Sequence, residues 1–240
     1  MHTEFDNRMK TYEKVSRTFL IKKTPVIIRI DGKAFHTVLS RFKPLDIYVN
    51  RAFKFVTENL IKEIQGVKIA YHQSDEISLI LTDYDNKNTQ GWFDYRTDKM
   101  CSVASSLTTF YFMKYSFENN LICMMKEPIA FDARCFNIPE DDAINYFIWR
   151  QEDAIRNSIF SFSRQYHSHN ELLNKTKQDL LEMDKDVYGN CAWDTYLEYS
   201  LKYGTILTKY NRDFIEHEIQ FKNNRDFFES FYKQKIDEVI

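Results

Sequence analysis

The order of short apolar runs in the first third of the chain is the feature that most limits how it can fold. Residues 26–30 form a β-branched run that predicts a buried strand. Residues 46–65 carry apolar side chains at helical spacing, with Asp46 placed to begin the helix. Two further runs, 67–71 and 77–81, flank a polar cluster and predict a hairpin. Strand, helix and hairpin in this order are the first half of a ferredoxin-like split βαβ unit.

The rest of the chain extends this unit into a mixed fold. The further predicted elements are an amphipathic helix over 5–20, a helix over 92–117, a strand over 129–136, a helix ending at about 162, a polar helical stretch over 170–185, a strand over 204–208 and a charged helical tail over 212–237. We therefore predict an α+β fold with an antiparallel sheet, packed helices and a helical C-terminal annex. Because the sequence shows no repeat and no clear linker, residues 1–240 are expected to form one domain, with a core over about 24–165 and the annex over about 166–240.

Charge and composition exclude several classes of protein. The chain has 33 Lys and Arg against 35 Asp and Glu, a formal net charge of −2, so it is not a generally basic nucleic-acid binder. A hydrophobic content of 43%, with five Gly and four Pro, excludes a disordered chain. The sequence shows no signal peptide, no apolar run long enough to span a membrane and no Cys-x-x-Cys pair. We therefore expect a cytoplasmic protein without a membrane partner.

Two acidic residues stand at the ends of neighbouring predicted strands. Asp31 ends the first strand, and Asp75 lies at the apex of the hairpin. In a split βαβ sheet both carboxylates emerge at one edge, where they repel each other unless a cation lies between them. Carboxylate oxygens favour Mg²⁺, which suits phosphoryl or nucleotidyl transfer. The alternative is ordinary turn chemistry, because Asp-Gly after a strand is a common turn.

Five sequence blocks in a fixed order carry a more specific signal. They are IRIDGKAFH at 28–36, KP at 43–44, AYHQSDEIS at 70–78, FDAR at 131–134 and WRQED at 149–153. In order and spacing these blocks resemble the tRNA-His guanylyltransferase superfamily, mainly over residues 5–160 and beyond them only at 203–205. The resemblance implies a catalytic domain like the palm of polymerases. It also implies nucleotide addition to the 5′ end of tRNA, with growth of the RNA in the 3′-to-5′ direction.

Site residues follow from matching the blocks position by position. The resemblance implies catalytic roles for Asp31, Asp75 and Glu76, and it implies that Asp31, Asp75 and the main-chain carbonyl of Gly32 hold two Mg²⁺ ions. ATP and GTP are the implied substrates. The residues implied to bind nucleotide are Asp31, Gly32, Lys33, Ala34, Phe35, His36, Lys43, Ser74, Asp75 and Lys99.

One departure from the family pattern bears on the substrate. Eukaryotic members that recognise the tRNA-His anticodon carry His-Ile-Asn-Asn after the Trp-Arg-Gln block, whereas this chain has Ile-Arg-Asn-Ser at 155–158. The sequence therefore looks like the bacterial and archaeal guanylyltransferase-like branch. That branch fills in missing 5′ nucleotides by Watson–Crick pairing and so repairs truncated tRNA.

Other interpretations remain open at this point. The chain is alternatively a tRNA-His guanylyltransferase that adds G at position −1, a palm-type nucleotide cyclase or a non-catalytic RNA-binding module. The resemblance also implies a homotetramer, a dimer of dimers. Basic residues for RNA phosphates occur in the first predicted helix and near the C-terminus, although solvated surfaces carry such residues too.

Overall fold

A computed structural model describes residues 3–85, 88–125, 127–185 and 189–233. The strands are β1 (Val26–Gly32), β2 (Val67–Gln73), β3 (Glu76–Leu81), β4 (Phe131–Asn137), β5 (Thr205–Tyr210) and β6 (Asp213–His217). The helices are α1 (Glu4–Lys14), α2 (Phe35–Val38), α3 (Ile47–Glu63), α4 (Thr97–Glu118), α5 (Ala143–Ser163), α6 (His169–Leu172), α7 (Lys177–Met183), α8 (Ala192–Tyr196), α9 (Tyr199–Tyr203) and α10 (Arg225–Tyr232). Single 3₁₀ turns occur at Trp92–Tyr95, Ile122–Met124, Glu140–Asp142 and Phe221–Asn223.

The six strands form one antiparallel sheet in the order β4-β1-β3-β2-β5-β6. Its first four strands, with α3 and α4 as the two crossovers, have the βαββαβ order of a ferredoxin-like fold. The predicted α+β fold class is thereby confirmed. Strand β3 lies between β1 and β2, so the carboxyl end of β1 and the β2–β3 turn meet at the same edge of the sheet.

Both faces of the sheet are covered, which explains the unbroken apolar run in β1. Ile28 and Ile30 point into the core beneath α3 and α4, whereas Ile27 points into the core beneath α5. A strand buried on both faces gains nothing from alternating polar residues. The α3 side is filled by four interlocked aromatic rings, those of Phe35, Phe53, Phe112 and Phe131.

Helix α3 begins as its sequence predicts. The Asp46 side chain accepts hydrogen bonds from the backbone N–H groups of Tyr48 and Val49 at 2.8 and 3.2 Å, which caps the helix. After the helix, Gly66 has a φ of 85°, and a Cβ on Gly66 would lie 2.8 Å from the Thr82 carbonyl oxygen. A side chain at this turn into β2 would therefore be strained and would clash.

The C-terminal region departs from the prediction in two stretches. The helical stretch predicted over 170–185 is two short helices, α6 and α7. Of the described residues in the helix predicted over 212–237, only α10 is α-helical, and Asp213–His217 instead form β6, which pairs with β5. Asn211 adopts a φ of 53° in the two-residue turn before β6. Asn tolerates this left-handed conformation, so the chain turns into a hairpin instead of a helix. Residues 234–237 of the expected tail lie outside the described residues.

The N-terminal helix is also shorter than predicted. Helix α1 ends at Lys14 instead of near residue 20, and it has no buried residue. The apolar residues after it, such as Phe19, lie in an extended segment whose backbone forms a bridge with Arg96. Among the described residues, no helix combines the length and the apolar character needed to cross a membrane.

A buried histidine makes the stability of the fold sensitive to acid. His72 on β2 is completely buried, and neither ring nitrogen has a hydrogen-bond partner in the described part of the chain. Burial, with a smaller contribution from Lys54, lowers the pKa of His72 to about 3. The folded protein therefore keeps the ring neutral under conditions in which the unfolded chain protonates it.

We expect His72→Leu to weaken the acid dependence of stability. Because the folded-state pKa is below the unfolded value, protonation of His72 in the unfolded chain lowers stability as pH falls below about 6.5. The slope contributed by this one group approaches about 1.4 kcal/mol per pH unit. In urea unfolding between pH 7 and 4, stability should fall more steeply with falling pH in wild type and in the control His169→Gln, an exposed histidine, than in His72→Leu. Equal slopes in all three proteins would refute the assignment.

Candidate functional site

A cavity of about 590 Å³ opens at the sheet edge where β1 ends and the β2–β3 turn begins. Strand β1 supplies Asp31 and Gly32, and the turn supplies Ser74, Asp75 and Glu76. The opposite wall comes from the loop before α3 and from α5 and α9. Predicted site residues that line the cavity are Asp31, Gly32, Ala34, Phe35, His36, Lys43, Ser74, Asp75 and Glu76. Lys33 and Lys99 do not line it, so their predicted contact with nucleotide remains a prediction.

The two predicted acids meet at this edge. Asp31 is directly opposite Glu76 in the β1–β3 register, and Asp75 precedes Glu76 in the turn. The turn is tight because Ser74 adopts a φ of 52°, and the Ser74 hydroxyl donates to Asp75 at 3.1 Å. The negative charge at the turn is therefore concentrated where β1 ends.

The environment of Asp75 disfavours its charged form. Burial raises the pKa of the Asp75 carboxyl most, and the negative charge of Asp31 raises it further, against hydrogen bonds from its own backbone and from Ser74 that lower it. No ion pair among the described residues includes Asp75. A cation beside Asp75 and Asp31 would remove this cost, because it replaces repulsion by attraction.

The residues present fit a hard divalent cation. Two carboxylates and nearby main-chain oxygens are the oxygen donors that Mg²⁺ uses. Within the described chain, no three His, Cys, Asp or Glu side chains are grouped closely enough to hold a metal ion. An ion here would therefore take its remaining ligands from main-chain carbonyls, water and substrate phosphates, which is usual for Mg²⁺.

Gly32 allows the close packing at this point. A Cβ on Gly32 would lie 2.3 Å from the Phe35 ring and 2.9 Å from a carboxylate oxygen of Asp75. Any side chain would therefore displace one or both of these groups. The absence of a side chain keeps the Asp75 carboxylate against the backbone of β1.

The loop after β1 is held by an aromatic anchor. Ala34 has a φ of 53° and begins the single turn α2. Phe35 is 2% exposed, and its ring lies 4.8 Å from that of Phe131 and 5.4 Å from that of Phe112. The exposed side chain of His36 follows on the cavity side. Phe35 therefore fixes the loop to the core, whereas the backbone around Ala34 and the side chain of His36 face the cavity.

Glu76 forms ion pairs with two arginines. One of its oxygens accepts from Arg29 at 2.6 Å and from Arg150 at 3.1 Å. The Arg150 side chain is 9% exposed, and its guanidinium lies 3.6 Å from the centre of the Trp149 ring. Sequence reasoning assigned Glu76 a catalytic role but did not find the two arginines as its partners. These contacts fix the Glu76 carboxylate beside Arg29 and Arg150, and its catalytic role stays a prediction.

The far wall of the cavity is polar and was missed by sequence reasoning. Asn157 and Ser161 on α5, together with Ser200 on α9, line this wall. Asn157 donates to Asp153 at 3.4 Å, and Asp153 also pairs with Arg156. The only sequence signal was the position of Asn157 in the block that departs from the eukaryotic pattern.

The structure defines an α+β protein with a ferredoxin-like sheet and an acidic cavity at one end of its central strands. A family model described as tRNAHis guanylyltransferase matches residues 6–139, which include Asp31 and Asp75. The chain belongs to the tRNAHis guanylyltransferase family.

Relatives and solved structures agree with this assignment. The tRNA(His) guanylyltransferase of Debaryomyces hansenii is 31% identical over 163 residues, which cover 64% of this chain and 57% of that protein. A probable tRNA(His) guanylyltransferase of Homo sapiens is 31% identical over 147 residues, covering 57% of this chain and 45% of that protein. The chain thus spans about half the length of these curated relatives.

The structural match extends over nearly the whole chain. A bacterial tRNA(His) guanylyltransferase-like protein in complex with ATP superimposes with a TM-score of 0.87 at 33% identity, covering 95% of this chain and 99% of that chain. The match to a bacterial guanylyltransferase-like protein in complex with GTP has a TM-score of 0.79 at 32% identity and the same coverage. The Saccharomyces cerevisiae guanylyltransferase shares the fold, with a TM-score of 0.70 at 20% identity.

Removing the charge of Glu76 should destabilise the fold. We expect Glu76→Gln to lower the free energy of unfolding by about 1–3 kcal/mol, because Arg29 and Arg150 lose their shared anion. Glu152→Gln is the matched control, since Glu152 is half-exposed and its pair with Lys222 spans 3.4 Å; its change should stay within about 0.5 kcal/mol. Urea unfolding measures both values. Similar losses in the two variants would contradict the anchoring role of Glu76.

Proposed function

We propose that this chain is a Mg²⁺-dependent nucleotidyltransferase that adds nucleotides to the 5′ end of tRNA. In this proposal the incoming nucleotide is chosen by pairing with the opposite strand, so the reaction repairs 5′-truncated tRNA. The observation that carries the proposal is the meeting of Asp31 and Asp75 at the edge of a cavity about 590 Å³ in volume. The chain is proposed to act as one catalytic domain over residues 1–240.

The proposed metal site consists of Asp31, Asp75 and the carbonyl oxygen of Gly32, and we propose two Mg²⁺ ions there. When bound, Mg²⁺ neutralises phosphate charge and activates the attacking hydroxyl. The fit rests on the Asp75 carboxylate, which has no ion-pair partner in the part of the chain that the structure describes, and on the close approach that Gly32 permits. The role of Glu76 in the proposal is to hold Arg29 and Arg150 in place beside the acids.

The proposed nucleotide contacts lie on the wall next to the acids. The backbone around Ala34 and the side chains of His36, Lys43 and Ser74 face the cavity and are available to a bound triphosphate. Lys43 would meet phosphate as a point charge. ATP and GTP are the proposed substrates, and ATP and GTP are the ligands named for the two bacterial guanylyltransferase-like structures. In such a site the protein accelerates the reaction by aligning the groups and balancing their charge.

Two observations support templated repair over addition of a single G. Residues 155–158 lack the His-Ile-Asn-Asn block of anticodon-reading members. Among the solved structures, the bacterial guanylyltransferase-like protein with ATP superimposes on 95% of the chain with a TM-score of 0.87, and the Saccharomyces cerevisiae enzyme on 86% with a TM-score of 0.70. If the template base selects the nucleotide, no protein group has to read an anticodon. A homotetramer remains part of the proposal by family resemblance.

We expect Asp75→Asn to abolish nucleotide addition without destabilising the protein. The variant removes a metal ligand, so the rate should fall roughly a hundredfold or more. It also removes a carboxylate whose charged form is disfavoured, so the free energy of unfolding should stay the same or rise by up to about 1 kcal/mol. Asp213→Asn, at an exposed acid outside the cavity, is the control and should keep full activity. If Asp75→Asn loses activity only together with its fold, the metal role is wrong.

The templated reaction is tested with a tRNA that lacks its first nucleotide. With Mg²⁺ and all four nucleoside triphosphates, we expect the 5′ end to be extended by the complement of the opposing base. Changing that base should change the added nucleotide to match, as read by sequencing the product ends. A 5′-complete tRNA serves as the control and should gain no templated nucleotide.

Each other outcome of this experiment supports a different function. Addition of G regardless of the opposing base identifies a guanylyltransferase that acts at position −1. Cyclic or linear nucleotide products made without RNA identify a palm-type cyclase or related synthase. Salt-dependent binding of tRNA without turnover identifies a non-catalytic RNA-binding module.

A further inference from the structure

Two thiols are in contact on the side of the sheet that α4 covers, away from the residues that line the cavity. Cys101 lies in the second turn of α4, and Cys135 lies on β4. Their sulfur atoms are 3.5 Å apart, and both residues are free cysteines of intermediate exposure. A disulfide has an S–S distance of about 2.0 Å, so side-chain rotation with a small shift of the helix would bring the sulfurs into bonding range.

We propose that Cys101 and Cys135 form a reversible disulfide when the protein is exposed to a peroxide. In the first step the Cys101 sulfur attacks one peroxide oxygen, the O–O bond breaks, and Cys101 becomes a sulfenic acid. With hydrogen peroxide, the other oxygen leaves as water. In the second step the Cys135 sulfur attacks the Cys101 sulfur, and the sulfenic oxygen leaves as water with the Cys135 proton. Two thiols and one hydrogen peroxide thus give one disulfide and two waters.

The surroundings of the two thiols set the order of these steps. The Cys135 thiol donates to the carbonyl oxygen of Thr97 at 3.8 Å, and it accepts a hydrogen bond from Cys101. Burial, and then the neighbouring Cys101, raise the pKa of the Cys135 thiol. The Cys135 thiol also donates its proton to the Thr97 carbonyl oxygen, so in our proposal Cys101 is the sulfur that reacts first and Cys135 the sulfur that closes the bond.

The bond would join a crossover helix to a strand of the sheet. Helix α4 packs along β4, and β4 pairs with β1, which carries Asp31 at its end. Neither cysteine lines the cavity. A covalent link across the 101–135 loop restricts the unfolded chain, so the oxidised protein should unfold at a temperature several degrees higher than the reduced protein.

The test oxidises the full chain with hydrogen peroxide, blocks the remaining thiols with N-ethylmaleimide and digests the protein without reductant. Mass spectrometry should find the Cys101 and Cys135 peptides joined, with two hydrogens lost, while exposed Cys123 is alkylated. Dithiothreitol should reverse the link, and Cys123→Ser should leave it intact. The proposal is overturned if Cys101 and Cys135 are alkylated as fully as Cys123, or if oxidation leaves the unfolding temperature unchanged.

Single replacements test the order of reaction. Cys135→Ser should accumulate a sulfenic acid on Cys101 that dimedone traps, because the closing thiol is gone. Cys101→Ser should leave Cys135 free for alkylation and give no dimedone adduct. The reverse pattern would overturn the proposed order. Far-UV circular dichroism checks that both variants fold, and the wild-type peptide map tests the disulfide without relying on either variant.

Discussion

The pairing of β1 with β3 is the constraint on which the site depends. Its register puts Asp31 opposite Glu76, and the tight turn before Glu76 puts Asp75 beside the end of β1. A shift of one residue would turn each of these side chains to the other face of the sheet. Such a slip would also turn Arg29 away from Glu76, with which it pairs at 2.6 Å.

The three acids at this edge, Asp31, Asp75 and Glu76, differ in how many cationic partners they have. Arg29 and Arg150 both bind Glu76, and Arg29 also reaches Asp31 at 3.3 Å. Asp75 has no ion-pair partner among the described residues. The arginines therefore hold Glu76 and Asp31, while the charged form of Asp75 has no such partner and is disfavoured.

Local signals in the sequence were sufficient for much of the fold. The β-branched run of β1, the Asp46 cap of α3 and the hairpin of β2 and β3 depend on neighbouring residues, and all are present in the structure. The β5–β6 hairpin was missed because its charged residues match a helix as well as a strand. What decides for the strand is pairing with β5 and the conformation of Asn211, neither of which appears in a hydrophobic pattern.

The site was predictable only in part, because some of its contacts join residues far apart in the sequence. Family blocks located Asp31, Asp75 and the loop around Ala34, but the partners of Glu76 lie 47 and 74 residues away in sequence. These contacts are set by the pairing of β1 with β3 for Arg29 and by the packing of α5 on the sheet for Arg150. Lys99 was also taken from the family resemblance; it does not line the cavity, so its contact with nucleotide stays a prediction.

The lack of a cationic partner for Asp75 links the stability of the folded protein to ligand binding. In the ligand-free protein, burial and the charge of Asp31 both act against ionised Asp75, so this edge is less stable than the apolar core beneath it. A ligand that binds only the folded state stabilises it in proportion to its occupancy. A cation held by Asp31 and Asp75 would relieve this repulsion. The repulsion that disfavours ionised Asp75 in the free protein therefore favours a positively charged ligand at this edge.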